Sequence, residues 1–369
     1  MPAEREFASR AFPLLPPPQS KLVRSETLLY SIRDDDGSVL SRHSSRLWMV
    51  QVRAFFDKDT EDAAESAVRN DGMCSCSHLR KEMSTLGVNQ CSMRTRRTIL
   101  LFVISATITH CQDLPNGSVI KEIDLSDLFA GHSGCFVLYD FATSEYLQYR
   151  PETCRTRFTP CSTFKIPNSL IALETGVAND TSFLIRYDSA KHPIPAELRN
   201  EEPFKHWPYD QTMTSAIRYS VVWYYQEIAT MVGTTRMQRY LDSLGYGNRD
   251  ISSGIDRFWL TGSMKISANE QVEFIKNLVN NQLHGFSAST QERVKSILLR
   301  ESTERYRLYG KTGGGGIAPD STIGWYVGFV QTQSNTYVFA LNIVVKSFGE
   351  LAGRHVELTK QVLHAVGVL

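Results

Sequence analysis

The chain has 369 residues, 42% of them hydrophobic and 10% aromatic, so it is long enough to bury one large core or two adjoining lobes. Its formal net charge is +1, which gives no electrostatic reason to expect a nucleic acid or an anionic membrane surface as a partner. Seven irregularly spaced cysteines exclude a small disulfide scaffold. A small-molecule site is therefore the expected kind of functional site.

Residues 1–92 differ in composition from the rest of the chain. They are proline-rich near their start and then mix Arg, Ser and Asp with little apolar periodicity, which predicts a poorly ordered segment. One set of residues in this segment resembles zinc ligands, but its spacing matches no closed structural site, so no metal is predicted. This set is Cys74, Cys76, His78 and Cys91.

A secretory signal is predicted at residues 93–111. Three arginines follow Met93 and precede the apolar run 99–104, as in the charged and apolar regions of a signal peptide. The run is too short to span a bilayer. Because such a signal belongs at the start of a protein, translation is expected to begin at Met93.

With a start at Met93, residues 1–92 are either disordered or mis-assigned upstream sequence, and the mature domain occupies residues 112–369. An exported protein of this kind is expected in the periplasm, with no stable membrane span once the signal is removed. Cys111 follows the bulky His110, which argues against a lipoprotein cleavage site and leaves this cysteine without a predicted role.

Strand-like and helix-like patterns follow one another in a definite order from Ile120 onward. Helical periodicity predominates from about 180 to 300, with strand patterns on either side. This arrangement predicts one antiparallel sheet built from both chain ends, flanked by helices, with an inserted helical lobe. Strands are predicted at 135–140, 146–149, 306–311, 323–330 and 337–345, and a last helix at about 353–365.

A serine and a lysine lie three residues apart ahead of an apolar, helix-like run. If Ser162 opens a helix that ends at Gly176, Lys165 returns to its face one turn later, and Pro167 distorts the backbone locally. A serine hydroxyl needs a base to take its proton, and a lysine serves only where an apolar pocket keeps its amine uncharged. Ser-x-x-Lys also arises by chance about once in a chain of this length, so the motif alone leaves an incidental interpretation open.

A second motif, Lys311-Thr312-Gly313, ends a predicted strand and leads into three more glycines. Its chance expectation is well below one per chain. An early Ser-x-x-Lys, a serine in the helical middle and a late Lys-Thr-Gly follow the order of the penicillin-recognising serine enzymes. The joint pattern therefore favours a catalytic interpretation that neither motif supports alone.

From about Ser118 to Leu369 the sequence resembles the class D β-lactamases, the oxacillinases. The resemblance implies the α/β (α+β) fold of the penicillin-recognising serine β-lactamases. The matching segments are Ser162-Thr163-Phe164-Lys165, Ser220-Val221-Val222, Tyr246-Gly247-Asn248, Phe258-Trp259-Leu260, Lys311-Thr312-Gly313 and Arg354.

The resemblance also implies roles for individual residues. Ser162 corresponds to the acylated nucleophile, and Lys165 to a lysine that CO2 carbamylates to N6-carboxylysine, the base for both steps. Trp259 is either an ordinary core aromatic or the donor that holds a carbamate oxygen through its indole N–H. Burial would favour the neutral amine that carbamylation requires. The expected neighbours of this lysine are Phe164, Val222 and Leu260.

Further residues are expected to bind the substrate. Ser220 would pass a proton to the leaving nitrogen, and the amides of Ser162 and Gly314 would form the oxyanion hole. Arg354 would bind the substrate carboxylate through its planar guanidinium. The expected substrate-binding residues are Val222, Lys311, Thr312, Gly313, Gly314 and Arg354, supported by Phe164, Trp259, Tyr246 and Asn248.

The resemblance implies a β-lactam as the small-molecule partner, no nucleic acid and no metal. It implies no cofactor apart from the CO2 that modifies Lys165, and a monomer or a homodimer.

The sequence leaves two features of the site open. The glycines 313–316 could loosen the strand that holds the substrate. Cys154 and Cys161 either form a local disulfide or remain buried thiols.

Three functions are compatible with these motifs: a periplasmic hydrolase, a β-lactam sensor domain that stays acylated, and a cell-wall transpeptidase or carboxypeptidase. Val222 stands where sensors and transpeptidases typically have asparagine, and a sensor would follow several membrane spans. Transpeptidases lack a base suited to deacylation by water. The hydrolase is therefore the favoured interpretation.

Overall fold

The structure is a computed structural model that describes residues 114–369. The predicted disordered segment 1–92, the signal peptide 93–111 and the start at Met93 lie outside the described residues. The same holds for Cys74, Cys76, His78, Cys91 and Cys111.

The described chain forms a seven-stranded sheet, a two-stranded sheet of β4 and β5, a set of helices and three short 3-10 turns. The strands are β1 Val119–Glu122, β2 Ser133–Asp140, β3 Glu145–Tyr149, β4 Leu184–Ile185, β5 Gln211–Thr212, β6 Leu299–Ser302, β7 Tyr306–Ala318, β8 Ser321–Thr332 and β9 Thr336–Val345. The helices are α1 Ser126–Phe129, α2 Pro151–Arg155, α3 Lys165–Glu174, α4 Met213–Arg218, α5 Val222–Val232, α6 Thr234–Leu244, α7 Ala268–Val279, α8 Ala288–Ile297, α9 Phe348–Leu351 and α10 Arg354–Ala365. The 3-10 turns are Cys161–Phe164, Ala196–Leu198 and Phe204–His206.

The main sheet is assembled from both ends of the described chain, as predicted. Its order is β1-β3-β2-β9-β8-β7-β6, so β2 from the N-terminal side pairs with β9 from the C-terminal side. The neighbours run antiparallel except β1 and β3, which are parallel and make the sheet mixed. All four residues of β1 are exposed. This strand therefore has no apolar face from which its pairing could be predicted.

Both faces of the sheet are covered, because successive side chains of a strand point to opposite faces. In β8, Trp325 and Val327 belong to the larger core, which the helical lobe completes, whereas Tyr326 and Val330 belong to a smaller core. Helix α7 packs on the first face and α10 on the second. The predicted fold of a sheet flanked by helices is confirmed.

Helix α3 lies where the helical lobe meets the sheet. It packs against α5 and α8, while the 3-10 turn just before it contacts β7. Nine of its ten residues, from Lys165 to Leu173, are buried. The segment that carries the candidate nucleophile is thus held from both sides. Among residues 114–369, no helix has both the length and the apolar character needed to cross a membrane.

Candidate active site

Ser162 lies in the 3-10 turn, and the α-helix begins three residues later at Lys165. The predicted helix at Ser162 is present, although its first turn is 3-10, and Cys161 just ahead of Ser162 has a φ of 49°. Left-handed backbone does not fit an α-helical ladder, so the chain turns tightly before the helix. Pro167 is the third residue of α3. The first four N–H groups of an α-helix have no partner within the helix, so the N–H that proline lacks is not needed at this position.

Lys165 is the base closest to the nucleophile in the described part of the chain. Its Nζ lies 2.8 Å from Oγ of Ser162 and 5.5 Å from the ring centre of Tyr225. The side chain is fully buried, and burial lowers the pKa of Lys165 to about 7. A large fraction of the amine is therefore neutral near pH 7, with a lone pair available to a proton or to an electrophile.

Trp259 packs beside this lysine's neighbour in the chain. Its indole stacks on Phe164 with the ring centres 5.3 Å apart, and Phe258 packs edge-on against both rings. The Nε1 of Trp259 is buried, and none of the described residues accepts a hydrogen bond from it. Because an unpaired buried donor costs about 1 to 3 kcal/mol, this N–H is available to an acceptor outside the described residues.

Lys311 and Ser220 form a second polar pair. Nζ of Lys311 donates to Oγ of Ser220 at 3.0 Å and to the carbonyl oxygen of Thr312 at 2.8 Å. Burial holds the pKa of Lys311 well below its ordinary value, and the nearby charges of Lys165 and Arg300 act in the same direction. Ser220 has a φ of 55°, so the backbone is strained where its hydroxyl meets the lysine.

The glycine-rich strand β7 packs tightly against the 3-10 turn that carries Ser162. The four glycines therefore do not loosen this strand. A Cβ on Gly313 would lie 2.9 Å from the carbonyl oxygen of Pro160, and one on Gly315 would lie 2.8 Å from Sγ of Cys161. These glycines allow close approach of two backbones, and they do not create slack.

The Tyr-Gly-Asn segment supports the site from behind. Tyr246 is buried and packs edge-on against Phe164 with the ring centres 5.7 Å apart. Asn248 donates to the carbonyl oxygen of Ser263 at 2.8 Å and accepts from the amide of Lys265 at 2.9 Å. This asparagine joins two loops and makes no contact with the nucleophile.

A cavity of about 990 Å³ opens over the predicted catalytic residues. Its lining includes Ser162, Ser220, Val222, Leu260 and the strand segment Thr312–Ala318. The structure therefore brings together the predicted nucleophile, the predicted proton donor and most of the predicted substrate-binding residues. Apolar side chains of the helical lobe line the far side of the cavity: Ile194, Leu198, Phe204 and Trp207.

Arg354 is a predicted substrate-binding residue that lies beside the cavity and outside its lining. Its Nη1 donates to Nε2 of His132 at 2.9 Å, and its side chain is exposed. Its neighbours Gly353 and His355 do line the cavity. Binding of a carboxylate by Arg354 remains a prediction that requires its side chain to change partners.

Two residues of the site were not predicted from the sequence. Tyr225 lies one turn after Val222 in a predicted helix, so helical spacing could have indicated it. His355 is buried against the cavity, and burial lowers the pKa of its ring to about 4. No motif includes His355, and its position became visible only in the structure.

The structure contains Cys154 and Cys161 as free, buried thiols. Sγ of Cys154 lies 3.3 Å from the carbonyl oxygen of Tyr149, while Sγ of Cys161 faces Gly315 on β7. The two thiols therefore have separate surroundings, and of the two alternatives the structure has the unbridged one.

A nucleophilic serine beside a buried amine, under a strand that carries Lys-Thr-Gly, defines a serine acyl-transfer site of the penicillin-recognising type. Comparison with known proteins agrees. Residues 134–362 match the family described as the penicillin binding protein transpeptidase domain. The chain belongs to this family and, within it, to the class D serine β-lactamases.

Three relatives illustrate the similarity. β-Lactamase OXA-10 of Pseudomonas aeruginosa is 34% identical over 257 residues, which are 69% of this chain and 92% of the relative. The solved class D β-lactamase YbXI from Nostoc is 35% identical, with a TM-score of 0.61 over 67% of this chain and 100% of that one. The C-terminal domain of the Bacillus licheniformis BlaR penicillin-receptor is 32% identical, with a TM-score of 0.62 over 70% of this chain and 100% of that domain.

Proposed function

We propose that the protein hydrolyses the β-lactam ring of penicillin-type antibiotics through an acyl-enzyme on Ser162 and thereby confers resistance. We further propose that CO2 carbamylates Lys165, which then acts as the general base. One observation carries this proposal: a fully buried lysine with a pKa near 7 lies 2.8 Å from the nucleophilic hydroxyl.

The surroundings of Lys165 suit carbamylation. A neutral amine adds to CO2 and releases one proton, giving a carbamate with two oxygens that require hydrogen bonds. The unpaired N–H of Trp259 is one donor. The hydroxyl of Ser162, which now accepts from Nζ of Lys165 at 2.8 Å, is close enough to donate to a carbamate oxygen. The carbamate provides an anionic base within reach of Ser162, which a neutral amine alone provides less effectively.

The chain's own residues account for each proton movement in acylation. Ser162 loses its proton to the base as Oγ bonds to the lactam carbonyl carbon, and the carbonyl oxygen becomes an oxyanion. Ser220 then donates a proton to the ring nitrogen as the C–N bond breaks, and the buried Lys311 at 3.0 Å can replace that proton. Before deacylation, the proton that the base took from Ser162 passes to the deprotonated Lys311, which frees the base. The base then takes a proton from water as the water oxygen bonds to the ester carbonyl carbon, and it returns this proton to Oγ of Ser162 as the ester C–O bond breaks.

The cavity lining supports an amphipathic substrate. The apolar wall that contains Leu198 and Trp207 suits the acyl side chain of a penicillin. Thr312 lines the cavity and is available to the carboxylate, Lys311 lies next to it in β7, and Arg354 would have to leave His132 to join them. The oxyanion would be held by the amides of Ser162 and Gly314.

A β-lactam sensor is the alternative function, and the similarity to the BlaR receptor domain favours it. A sensor is acylated once and keeps the acyl group, whereas a hydrolase releases product repeatedly. We expect the purified protein to turn over a chromogenic cephalosporin many times per enzyme molecule. A single burst of product equal to the enzyme concentration, followed by no further reaction, would identify a sensor or a transpeptidase.

We also propose that the protein is exported to the periplasm by the segment 93–111. Leu114 is buried in the larger core, so a mature protein needs this residue for its fold. N-terminal sequencing of the exported protein should give a first residue between Thr107 and Leu114. A mature N-terminus within residues 1–92 would contradict the proposed start at Met93.

A further inference from the structure

Thr159 is a buried residue that the reaction described above does not use. It lies three residues before Ser162 and is 1% exposed. Its Oγ1 is 3.0 Å from the carbonyl oxygen of Trp259 and 3.0 Å from that of Leu260. One hydroxyl hydrogen is therefore shared between two successive carbonyls of the loop that carries the Trp259 indole.

The backbone of Thr159 is itself held from two directions. Its carbonyl oxygen accepts a hydrogen bond from Nε1 of Trp325 on β8 at 3.0 Å. The preceding Phe158 exchanges backbone hydrogen bonds with Ile266 at 2.9 and 2.8 Å. Because Trp325 is fully buried in the sheet, the hydroxyl of Thr159 has a rigid base from which to position the loop.

The carbonyls that Thr159 contacts have little other support. Within residues 114–369, no other hydrogen bond reaches the carbonyl oxygen of Trp259. In the same range of residues, the carbonyl oxygen of Leu260 accepts, besides the Thr159 hydroxyl, only a contact from the thiol of Cys161 at 3.9 Å. Loss of the Thr159 hydroxyl would leave both carbonyls poorly paired in a buried place, so the loop would be expected to move.

We propose that Thr159 is a positioning residue that holds the Trp259 indole where its N–H retains the carbamate on Lys165. The inference rests on the proposed function, because it concerns the same carbamate. Thr159 contacts neither the substrate nor the reacting atoms. It acts through the loop, since Trp259 stacks on Phe164, the residue next to Lys165.

Two substitutions separate the effect of the Thr159 hydroxyl from the effect of the side chain's shape. Thr159→Val keeps the volume and removes the hydroxyl, whereas Thr159→Ser keeps the hydroxyl and removes a methyl group. The protein is freed of CO2 at mildly acidic pH, returned to neutral pH, and titrated with bicarbonate while turnover is measured. We expect the bicarbonate concentration for half-maximal activity to rise about tenfold in T159V and to stay near the wild-type value in T159S.

The rate at saturating bicarbonate and the melting temperature complete the test. Activity of T159V should recover most of the wild-type rate when bicarbonate saturates, because the machinery that contacts substrate is intact. A melting temperature that falls in T159V with no change in the bicarbonate requirement would overturn the inference and leave Thr159 a purely structural residue. If wild-type turnover does not respond to bicarbonate at all, the proposed carbamate fails and this inference fails with it.

A second variant keeps the test informative if T159V does not fold. Trp325→Phe leaves the Thr159 hydroxyl in place and removes the N–H that holds its carbonyl. We expect a smaller increase in the bicarbonate requirement, about threefold, because the backbone of Thr159 is still held through Phe158. An unchanged requirement in folded W325F would likewise overturn the inference.

Discussion

Replacing Lys165 by Met is expected to abolish turnover and, at the same time, to stabilise the fold. Loss of a general base that serves both steps should lower kcat/KM by about 10³-fold or more. Any acyl group that reaches Ser162 should then remain attached, and intact-protein mass spectrometry would detect it. The matched control is Lys121→Met. Lys121 is an exposed lysine on β1 that pairs with Glu145, and K121M should keep full activity.

The effect on stability follows from the shifted pKa. The pKa of Lys165 falls from an ordinary 10.5 to about 7 on folding, so between these values the unfolded chain binds more protons than the folded one. Without bicarbonate, the stability of the wild-type protein should therefore rise as pH increases from about 7 to 10.5. K165M should lack this rise and be more stable near pH 7, by on the order of 3 to 5 kcal/mol. Chemical unfolding at several pH values measures both effects, and equal pH dependence in the two proteins would contradict the burial argument.

Replacing Trp259 by Phe should impair deacylation while leaving stability almost unchanged. The ring that stacks on Phe164 is retained, and the N–H that is removed has no partner among the described residues. Removing an unpaired buried donor costs no hydrogen bond and can even stabilise the protein. If this N–H retains the carbamate, W259F should need at least about tenfold more bicarbonate, and its acyl-enzyme should accumulate at low bicarbonate.

Trp223→Phe is the control for this substitution. Trp223 is also fully buried, but its Nε1 donates to the carbonyl oxygen of Trp207 at 3.0 Å. We expect W223F to have a lower melting temperature and an unchanged bicarbonate requirement. If W259F loses stability as W223F does, and its bicarbonate response equals that of the wild type, then Trp259 is an ordinary core aromatic.

Sequence patterns predicted the central strands well, because their apolar residues alternate or run continuously within buried segments. β8 was predicted at 323–330 and extends from Ser321 to Thr332. The exposed strand β1 was not predicted, since its residues do not show which face they bury. Short-range patterns also gave no sign of the left-handed Cys161 or of the 3-10 turn that precedes α3.

The candidate site was predictable where it depends on motifs and unpredictable where it depends on packing. Ser162, Lys165 and Lys311 lie in recognisable motifs. In the structure Ser162 lines the cavity, and the two lysines donate hydrogen bonds to residues that line it, Ser162 and Ser220. The hydroxyl of Thr159 matters through two carbonyls about 100 residues away in sequence, and only the folded chain brings these atoms together. The current partner of Arg354, His132, is 222 residues away in sequence and was equally unpredictable.

Carbon-13 NMR of the purified protein with labelled bicarbonate tests most directly whether Lys165 is the carbamylated base. We expect a carbamate signal in the wild-type protein that disappears at mildly acidic pH together with turnover, and that returns when the pH is restored. K165M should give no such signal. A wild-type protein that hydrolyses β-lactams at full rate with no carbamate signal, and with no response to bicarbonate, would mean that Lys165 acts as a plain amine and would contradict the mechanism proposed for this site.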